Sequence, residues 1–128
     1  MRVIDTSAWI ETLKGTATGH RLTAEIPAPE DCIVPTLVQL ELAKWLTREQ
    51  SPEHAERMIA YTMTCQVVAL DSTIALLAAD VGRTHGLSIA DAIIYATAVQ
   101  LNSGLVTCDA HFKGLPLVHY SAKHADPE

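Results

Sequence analysis

Four carboxylates, Asp5, Glu41, Asp91 and Asp109, stand in apolar surroundings where a charge is costly. Asp5 closes the run Val3-Ile4-Asp5, and Glu41 interrupts Val38-Gln39-Leu40-Glu41-Leu42. Asp91 opens Ala92-Ile93-Ile94-Tyr95-Ala96, and Asp109 closes Leu105-Val106-Thr107-Cys108-Asp109. An isolated buried carboxylate protonates rather than ionises. Four that converge repel one another by roughly 4 kcal/mol per pair at about 4 Å and an effective dielectric near 20. A divalent cation is the simplest partner that makes such a cluster tolerable, and its most plausible target is a phosphate. Oxygen-only ligands favour Mg²⁺ or Mn²⁺ over Zn²⁺. Because Mg²⁺ takes one or two carboxylates and keeps several waters, four acids suit one or two ions.

Taken singly, each acid also has a purely structural reading. Asp5, followed by Thr6-Ser7, is either a ligand with neighbouring hydroxyls or part of an N-cap at a strand-to-helix turn. Asp91 is either a ligand or the acidic half of a capping box begun by Ser88, a favourable charge at a helix N-terminus. Asp109, after Thr107, is either a ligand or a turn-forming Asp. Glu41 lies mid-helix, where no capping role exists; it is a paired or metal-bound carboxylate, or a partner of Lys44 at i, i+3.

Other chemistries find less support. His20, His54, His85, His111, His119 and His124 are scattered, with no H-E-x-x-H and no paired spacing, which argues against a zinc site. No P-loop and no Gly-x-Ser-x-Gly elbow occur. Cys32, Cys65 and Cys108 include no C-x-x-C, and no secretory signal opens the chain. The expectation is reduced thiols, acting as small buried hydrophobes in a reducing cytoplasm. No apolar stretch approaches the roughly 18 residues that span a bilayer.

These residues must be positioned by a chain of 128 residues, a length that suits one domain. Hydrophobic residues make up 48% but aromatics only 5%, so Leu, Ile, Val and Ala fill the core. The net charge of −6 provides no global attraction for nucleic acid. Metal ions and a local basic patch would have to supply it, and Lys14, Arg21, Lys44 and Lys113 are the candidates to hold flanking phosphates. Each of them is also ordinary solvated surface.

The hydrophobic period switches between short apolar runs and helical repeats. Strands are expected at Arg2–Asp5, Cys32–Val34, Cys65–Leu70, Gly104–Asp109 and Pro116–Tyr120. Helices are expected from a Thr6-Ser7 cap to Lys14, over His20–Ile26 and over Thr36–Glu49. Others should run from Ser51-Pro52 to Thr64, from Asp71-Ser72 to His85-Gly86, and from Ser88 to Asn102. In the third of these, Leu37, Leu40, Glu41, Lys44 and Trp45 share one side. The last is apolar on most faces and should be deeply buried. Trp9 and Trp45 read as core or interface residues. Residues 121–128 form a polar, frayed tail. Strands alternating with helices imply an α/β fold with a parallel sheet covered on both faces. Ligands of such sheets bind outside the carboxyl ends of the strands, toward which Asp5, Asp109 and Asp91 are placed by topology.

The ordered set Val3-Ile4-Asp5-Thr6-Ser7-Ala8-Trp9-Ile10, Glu41, Ser88-Ile89-Ala90-Asp91-Ala92 and Thr107-Cys108-Asp109-Ala110-His111-Phe112 resembles the PIN domain. It most resembles the toxins of VapC-type toxin–antitoxin pairs. The resemblance covers nearly the whole chain. It implies a PIN-like three-layer α/β/α sandwich with a central parallel sheet of four to five strands, built from residues 1–120. It implies an Mg²⁺-dependent endoribonuclease, with Mn²⁺ able to substitute, that hydrolyses RNA by metal-activated water. On that pattern Asp5, Glu41, Asp91 and Asp109 match the acidic quartet, and Glu41 or Asp91 orients the water. Thr6 or Ser7 and Thr107 match the hydroxyl positions near the metal. The partners it implies are an RNA substrate, a small VapB-type antitoxin that enters the active-site groove, and a second copy in a homodimer.

Three other readings compete. A phosphorylation-dependent receiver domain shares the size and the acidic cluster, with Asp71 as the phosphorylated residue; strand one then lacks its acidic pair, and Lys113-Gly114 stands where Lys-Pro is expected. A non-catalytic interaction module would keep the fold and use the acids for capping. A housekeeping RNA-processing nuclease would differ in biology, not chemistry.

Overall fold

A computed structural model describes residues 1–123. The expected tail at 121–128 therefore falls largely outside the described residues, as does His124. Five parallel strands, β1 (Arg2–Ile4), β2 (Cys32–Pro35), β3 (Gln66–Val68), β4 (Gly104–Thr107) and β5 (Val118–Tyr120), form one sheet in the order β3-β2-β1-β4-β5. Six α-helices connect them: α1 (Thr6–Lys14), α2 (Ala17–Thr23), α3 (Thr36–Glu49), α4 (Pro52–Thr62), α5 (Ser72–His85) and α6 (Ile89–Gln100). Single 3₁₀ turns at Pro29–Asp31 and Ala110–Phe112 precede β2 and follow β4.

The three central strands carry Val3, Ile4, Ile33, Val34, Leu105 and Val106, all fully buried. Consecutive residues of a strand face opposite sides of a sheet. Burial of both members of each pair therefore means that both faces are covered, as a parallel sheet requires. The edge strands β3 and β5 are only partly buried. Helices pack in sequential pairs, α1 on α2, α3 on α4 and α5 on α6. Where α5 meets α6, a Cβ at Gly82 would lie 3.2 Å from the Ala92 Cβ, so small residues set that close approach. As expected, α6 is the most buried helix, with Ala92, Ile94, Tyr95, Ala96, Thr97 and Ala98 inside.

Three local expectations are corrected. Helix α2 starts three residues earlier than its apolar pattern suggested, because the Thr16 hydroxyl accepts from the Gly19 N–H and fixes an N-cap there. The core stripe of α3 is Val38, Leu42 and Leu46. Leu40 is 54% exposed, and with Glu41, Lys44 and Trp45 it borders an open groove. Finally, neither Thr6 nor Ser7 caps α1. The N-cap is Asp5, acting through its backbone carbonyl, which accepts from the N–H groups of Ala8 and Trp9.

Candidate metal centre

Strand order alone marks one place on the sheet. Chain order reverses at β1, with β2 and β3 to one side and β4 and β5 to the other. Ligands of open α/β sheets bind in the crevice at such a switch point, outside the carboxyl ends of the strands. Asp5 follows the last residue of β1, and Thr107 ends β4 beside it. The Asp5 N–H still bonds to the Val106 carbonyl (2.9 Å), so the residue is locked in line with the sheet. Its carbonyl starts α1, which leaves the carboxylate free for other work.

That carboxylate is 96% buried, and its Oδ2 accepts two hydroxyl protons, from Thr107 Oγ1 at 2.7 Å and Ser7 Oγ at 2.8 Å. With both protons committed, the 3.3 Å approach between the two hydroxyl oxygens is a contact imposed by their shared acceptor. Each hydroxyl also accepts a backbone N–H: Ser7 from Cys108 across the crevice (2.9 Å), Thr107 from Asp109 two residues on (2.9 Å). A three-way junction of α1, β4 and the turn after β4 thus fixes Asp5. Burial nevertheless pushes its pKa up to about 6, against the two hydroxyl bonds and with added repulsion from Asp91 and Glu41.

The other acids reach the same end of the sheet from helix N-termini. Glu41, in the second turn of α3, accepts from Thr6 Oγ1 at 2.7 Å, which ties α3 to the start of α1. This bond, rather than a Lys44 ion pair, is what the structure gives it. Asp91 is the third residue of α6, and its N–H bonds to the Ser88 hydroxyl (3.3 Å). Its carboxylate Oδ2 lies 3.3 Å from His111 Nδ1. Burial first, then the charge of Asp109, raise the Asp91 pKa; the contact with His111 opposes them. Asp109 caps the 3₁₀ turn after β4, where its Oδ1 accepts from the His111 N–H at 2.9 Å and lies 3.2 Å from His111 Nδ1. Capping and clustering are therefore not alternatives: at Asp91 they use different atoms, the backbone N–H and Oδ2, and at Asp109 the single oxygen Oδ1 serves both.

The charges of Asp91 and Glu41 act on Asp5, and that of Asp109 on Asp91, but among the described residues only Asp91, Asp109 and His111 bring ligand atoms within 4.8 Å of one another; Asp5 and Glu41 stand outside that group. Thr6, Ser7 and Thr107 meet them through the carboxylates they hold. Of the four basic candidates, Lys44 borders the groove that contains Glu41, together with Arg48. Lys14 instead stands 3.9 Å from Glu11, Arg21 bonds to Thr18, and Lys113 lies 5.7 Å from the Tyr120 ring centroid. His111 was passed over in the sequence because it has no paired histidine. Its position two residues after an Asp in turn context was the available signal. The donor set fits a hard divalent cation: several convergent carboxylates, one of them buried with its charged form disfavoured, a penalty that a bound cation removes.

The receiver reading is overturned. Receiver-type sheets have the order 2-1-3-4-5, unlike that found here. Asp71 is spent as the N-cap of α5, accepting from the Ile74 N–H at 2.9 Å.

The PIN domain family profile matches residues 2–116. The chain belongs to the PIN-domain family. Among solved structures, this PIN domain is similar to a toxin–antitoxin complex from Klebsiella pneumoniae, with TM-score 0.78 and 21% identity, covering 93% of this chain and 96% of the other. It is also similar to VapC20 of Mycobacterium tuberculosis, described as a sarcin–ricin loop cleaving toxin, with TM-score 0.73 and 20% identity, covering 91% and 95%. A third is the DNA-bound VapBC of Salmonella typhimurium, with TM-score 0.70 and 14% identity, covering 94% and 96%. The fold of this PIN domain is accordingly that of VapC-type toxins. No curated protein matches. No helix among the described residues is long and apolar enough to cross a membrane.

Proposed function

We propose that this PIN domain is a metal-dependent endoribonuclease, the toxin of a VapC-type toxin–antitoxin pair, with residues 1–120 as its nuclease unit and the cytoplasm as its place of action. The observation that carries the reading is Asp5: a carboxylate buried at the switch point of the sheet, held by two hydroxyls and set beside other acids rather than beside a cation. The similarity to toxins from toxin–antitoxin complexes, one of them described as cleaving the sarcin–ricin loop, supports RNA as the substrate class and an antitoxin as the partner.

Asp5, Asp91 and Asp109 would hold Mg²⁺ or Mn²⁺, with Glu41 completing the quartet. When bound, such an ion neutralises the carboxylates, lowers the pKa of a water and offsets charge that develops on a phosphate. Thr107 and Ser7 keep the Asp5 carboxylate from turning away. Thr6 occupies Glu41 Oε1, which leaves Oε2 to orient a water and accept its proton. Lys44 and Arg48 flank Glu41 and would hold the RNA backbone. The groove they share with Ile10, Leu37, Leu40 and Trp45 suits an antitoxin segment that carries apolar side chains. A second copy of the chain, in a homodimer, is the remaining partner of this reading.

The test incubates the purified protein with a structured RNA in Mg²⁺ or Mn²⁺, with an EDTA control and the Asp91→Asn variant. Discrete cleavage that requires both the ion and Asp91 is expected. Cleavage that survives EDTA or the substitution would sink the reading. Bound metal without cleavage of any RNA would reassign the centre to another reaction.

A further inference from the structure

The acids alone describe an all-oxygen site, but the structure adds a nitrogen to it. His111 Nδ1 lies 3.3 Å from Asp91 Oδ2 and 3.2 Å from Asp109 Oδ1. These three atoms, from α6, the 3₁₀ turn and the residue that caps it, are the one group of three convergent ligand atoms found among the described residues. Adjacent ligands of an octahedral ion with bonds near 2.1 Å stand roughly 3 Å apart. The two separations to the imidazole therefore need only a few tenths of an ångström of adjustment, and all three atoms lie within 4.8 Å of one another. Asp109 Oδ1 accepts the His111 backbone N–H (2.9 Å), a short local bond that holds the carboxylate against the main chain from which the imidazole springs. The side chain is 77% exposed, so nothing packed around it prevents the small rotation that coordination requires.

Nitrogen changes which ion the centre prefers. Mg²⁺ is a hard cation that takes oxygen ligands and holds its waters, whereas imidazole suits first-row transition metals. Resting on the nuclease reading above, we infer that His111 is a direct metal ligand and a determinant of metal choice, so that Asp91, Asp109 and His111 form a mixed oxygen–nitrogen centre selective for Mn²⁺ over Mg²⁺. The imidazole coordinates in its neutral form through Nδ1. Asp5, held on the far side by its hydroxyls, supplies a carboxylate whose contribution does not distinguish the two ions. Mn²⁺ is then the better occupant at equal concentrations.

The test is metal binding by the full-length protein, read without RNA. Isothermal titration of Mn²⁺ and Mg²⁺ into the wild type, His111→Ala and His111→Gln is combined with electron spin-echo spectroscopy of the Mn²⁺ forms, which detects a directly bound nitrogen. The expected result is tighter binding of Mn²⁺ than of Mg²⁺ by the wild type and a nitrogen modulation that disappears in both variants. Mn²⁺ affinity should fall at least about 10-fold, the lower end of what even the loss of an outer-shell partner costs, while Mg²⁺ affinity stays within about twofold. Equal Mn²⁺ affinity in wild type and variants, or no nitrogen modulation in the wild type, overturns the assignment of His111 and leaves the nuclease reading intact. Failure of the wild type to bind either ion overturns both. Because His111 is exposed, unchanged thermal unfolding of the variants should accompany every outcome.

Discussion

Asp5 and Glu11 are both almost wholly buried, 4% and 5% exposed, and they stand at the entry to α1 and within its second turn. Their company differs. Glu11 Oε2 accepts from Thr16 Oγ1 at 2.6 Å, and the Lys14 ammonium lies 3.9 Å from Oε1, so a donor and a cation come from the next five residues of chain. Asp5 is met by two hydroxyls, one of them contributed from more than a hundred residues away, and by the charges of Asp91 and Glu41. Burial of a carboxylate is therefore not in itself a sign of a site. A buried acid supplied with local donors and a cation closes a turn; a buried acid supplied with other acids carries an uncompensated charge, which the function proposed above assigns to a cation. The Glu11 region staples α2 onto α1, while the Asp5 region, on the proposed function, gives up local stability for chemistry.

The largest expected effect lies on the structural side of this contrast. A Cβ at Gly19 would lie 2.0 Å from the Glu11 carbonyl oxygen and 2.9 Å from the Thr12 Cα, both backbone atoms that cannot step aside. Gly19→Ala should thus force α2 off α1. We expect a loss above about 3 kcal/mol, the upper end for overpacked sites, seen as a fall of about 10 °C or more in the unfolding midpoint. Cleavage per folded molecule should be retained at low temperature. An unchanged midpoint would mean that the two helices are not stapled here.

Asp5→Asn probes the other side, and its effects on function and stability should run in opposite directions. Cleavage should drop by more than about 100-fold, since even outer-shell partners of a metal cost 10- to 100-fold. Stability of the metal-free protein at neutral pH should hold or rise. Asp5 ionises at about 6 in the fold against an ordinary value of 3.8, so folding takes up a proton between those values. Its contribution is then least unfavourable below pH 4 and turns against the fold as pH rises through 6, by at most about 3 kcal/mol. Asn at this position can still accept from Thr107 and Ser7 without the charge. Denaturant unfolding with EDTA at pH 4 and pH 7.5 checks this: the gain from Asp5→Asn should appear at the higher pH alone. Equal effects at both would mean that Asp5 carries no buried charge.

Much of this contrast was legible in the chain, and the part that was not has a physical cause. The four acids could be picked out because each interrupts or ends an apolar run, and the run itself reports burial. The strands and the long helices α3, α5 and α6 followed from period and caps, because Ser88, Asp71 and Gly86 do locally what such residues do elsewhere. Glu11 was passed over because its neighbourhood in sequence, with Thr12 and Lys14, is that of an exposed helix face. Its burial arises only when α2 folds across it, and this depends on the lack of a side chain at Gly19. His111 was misjudged for a related reason. A histidine was sought with a second histidine, whereas its partners are carboxylates delivered by another helix. Thr6 and Ser7 were read both as caps of α1, because they occupy the right place for it, and as hydroxyls near the metal. Their hydroxyls are claimed by acids, Ser7 by Asp5 two residues before it and Thr6 by Glu41, which sequence distance hides, and the backbone carbonyl of Asp5 suffices to start α1.

The smallest expected effects sharpen the contrast within the site itself, because the two threonines differ in what depends on them. Thr107 is wholly buried, gives its proton to Asp5 and accepts the Asp109 N–H, so one hydroxyl orients two members of the quartet. Thr107→Val keeps the volume and removes both bonds. Metal affinity and cleavage should fall about 10- to 100-fold, and the pH at which cleavage is half-maximal should move upward, since Asp5 loses a bond that favours its charged form. Thr6 is partly exposed and holds only Glu41. Thr6→Val should therefore lower cleavage by less than Thr107→Val, with metal affinity and the pH profile unchanged. If the two variants weaken metal binding equally, Glu41 shares the ion with Asp5 and the division between holding the metal and orienting the water is wrong. If only Thr107→Val does so, the hydroxyls have separate tasks, and the buried Asp5 remains the anchor of the centre.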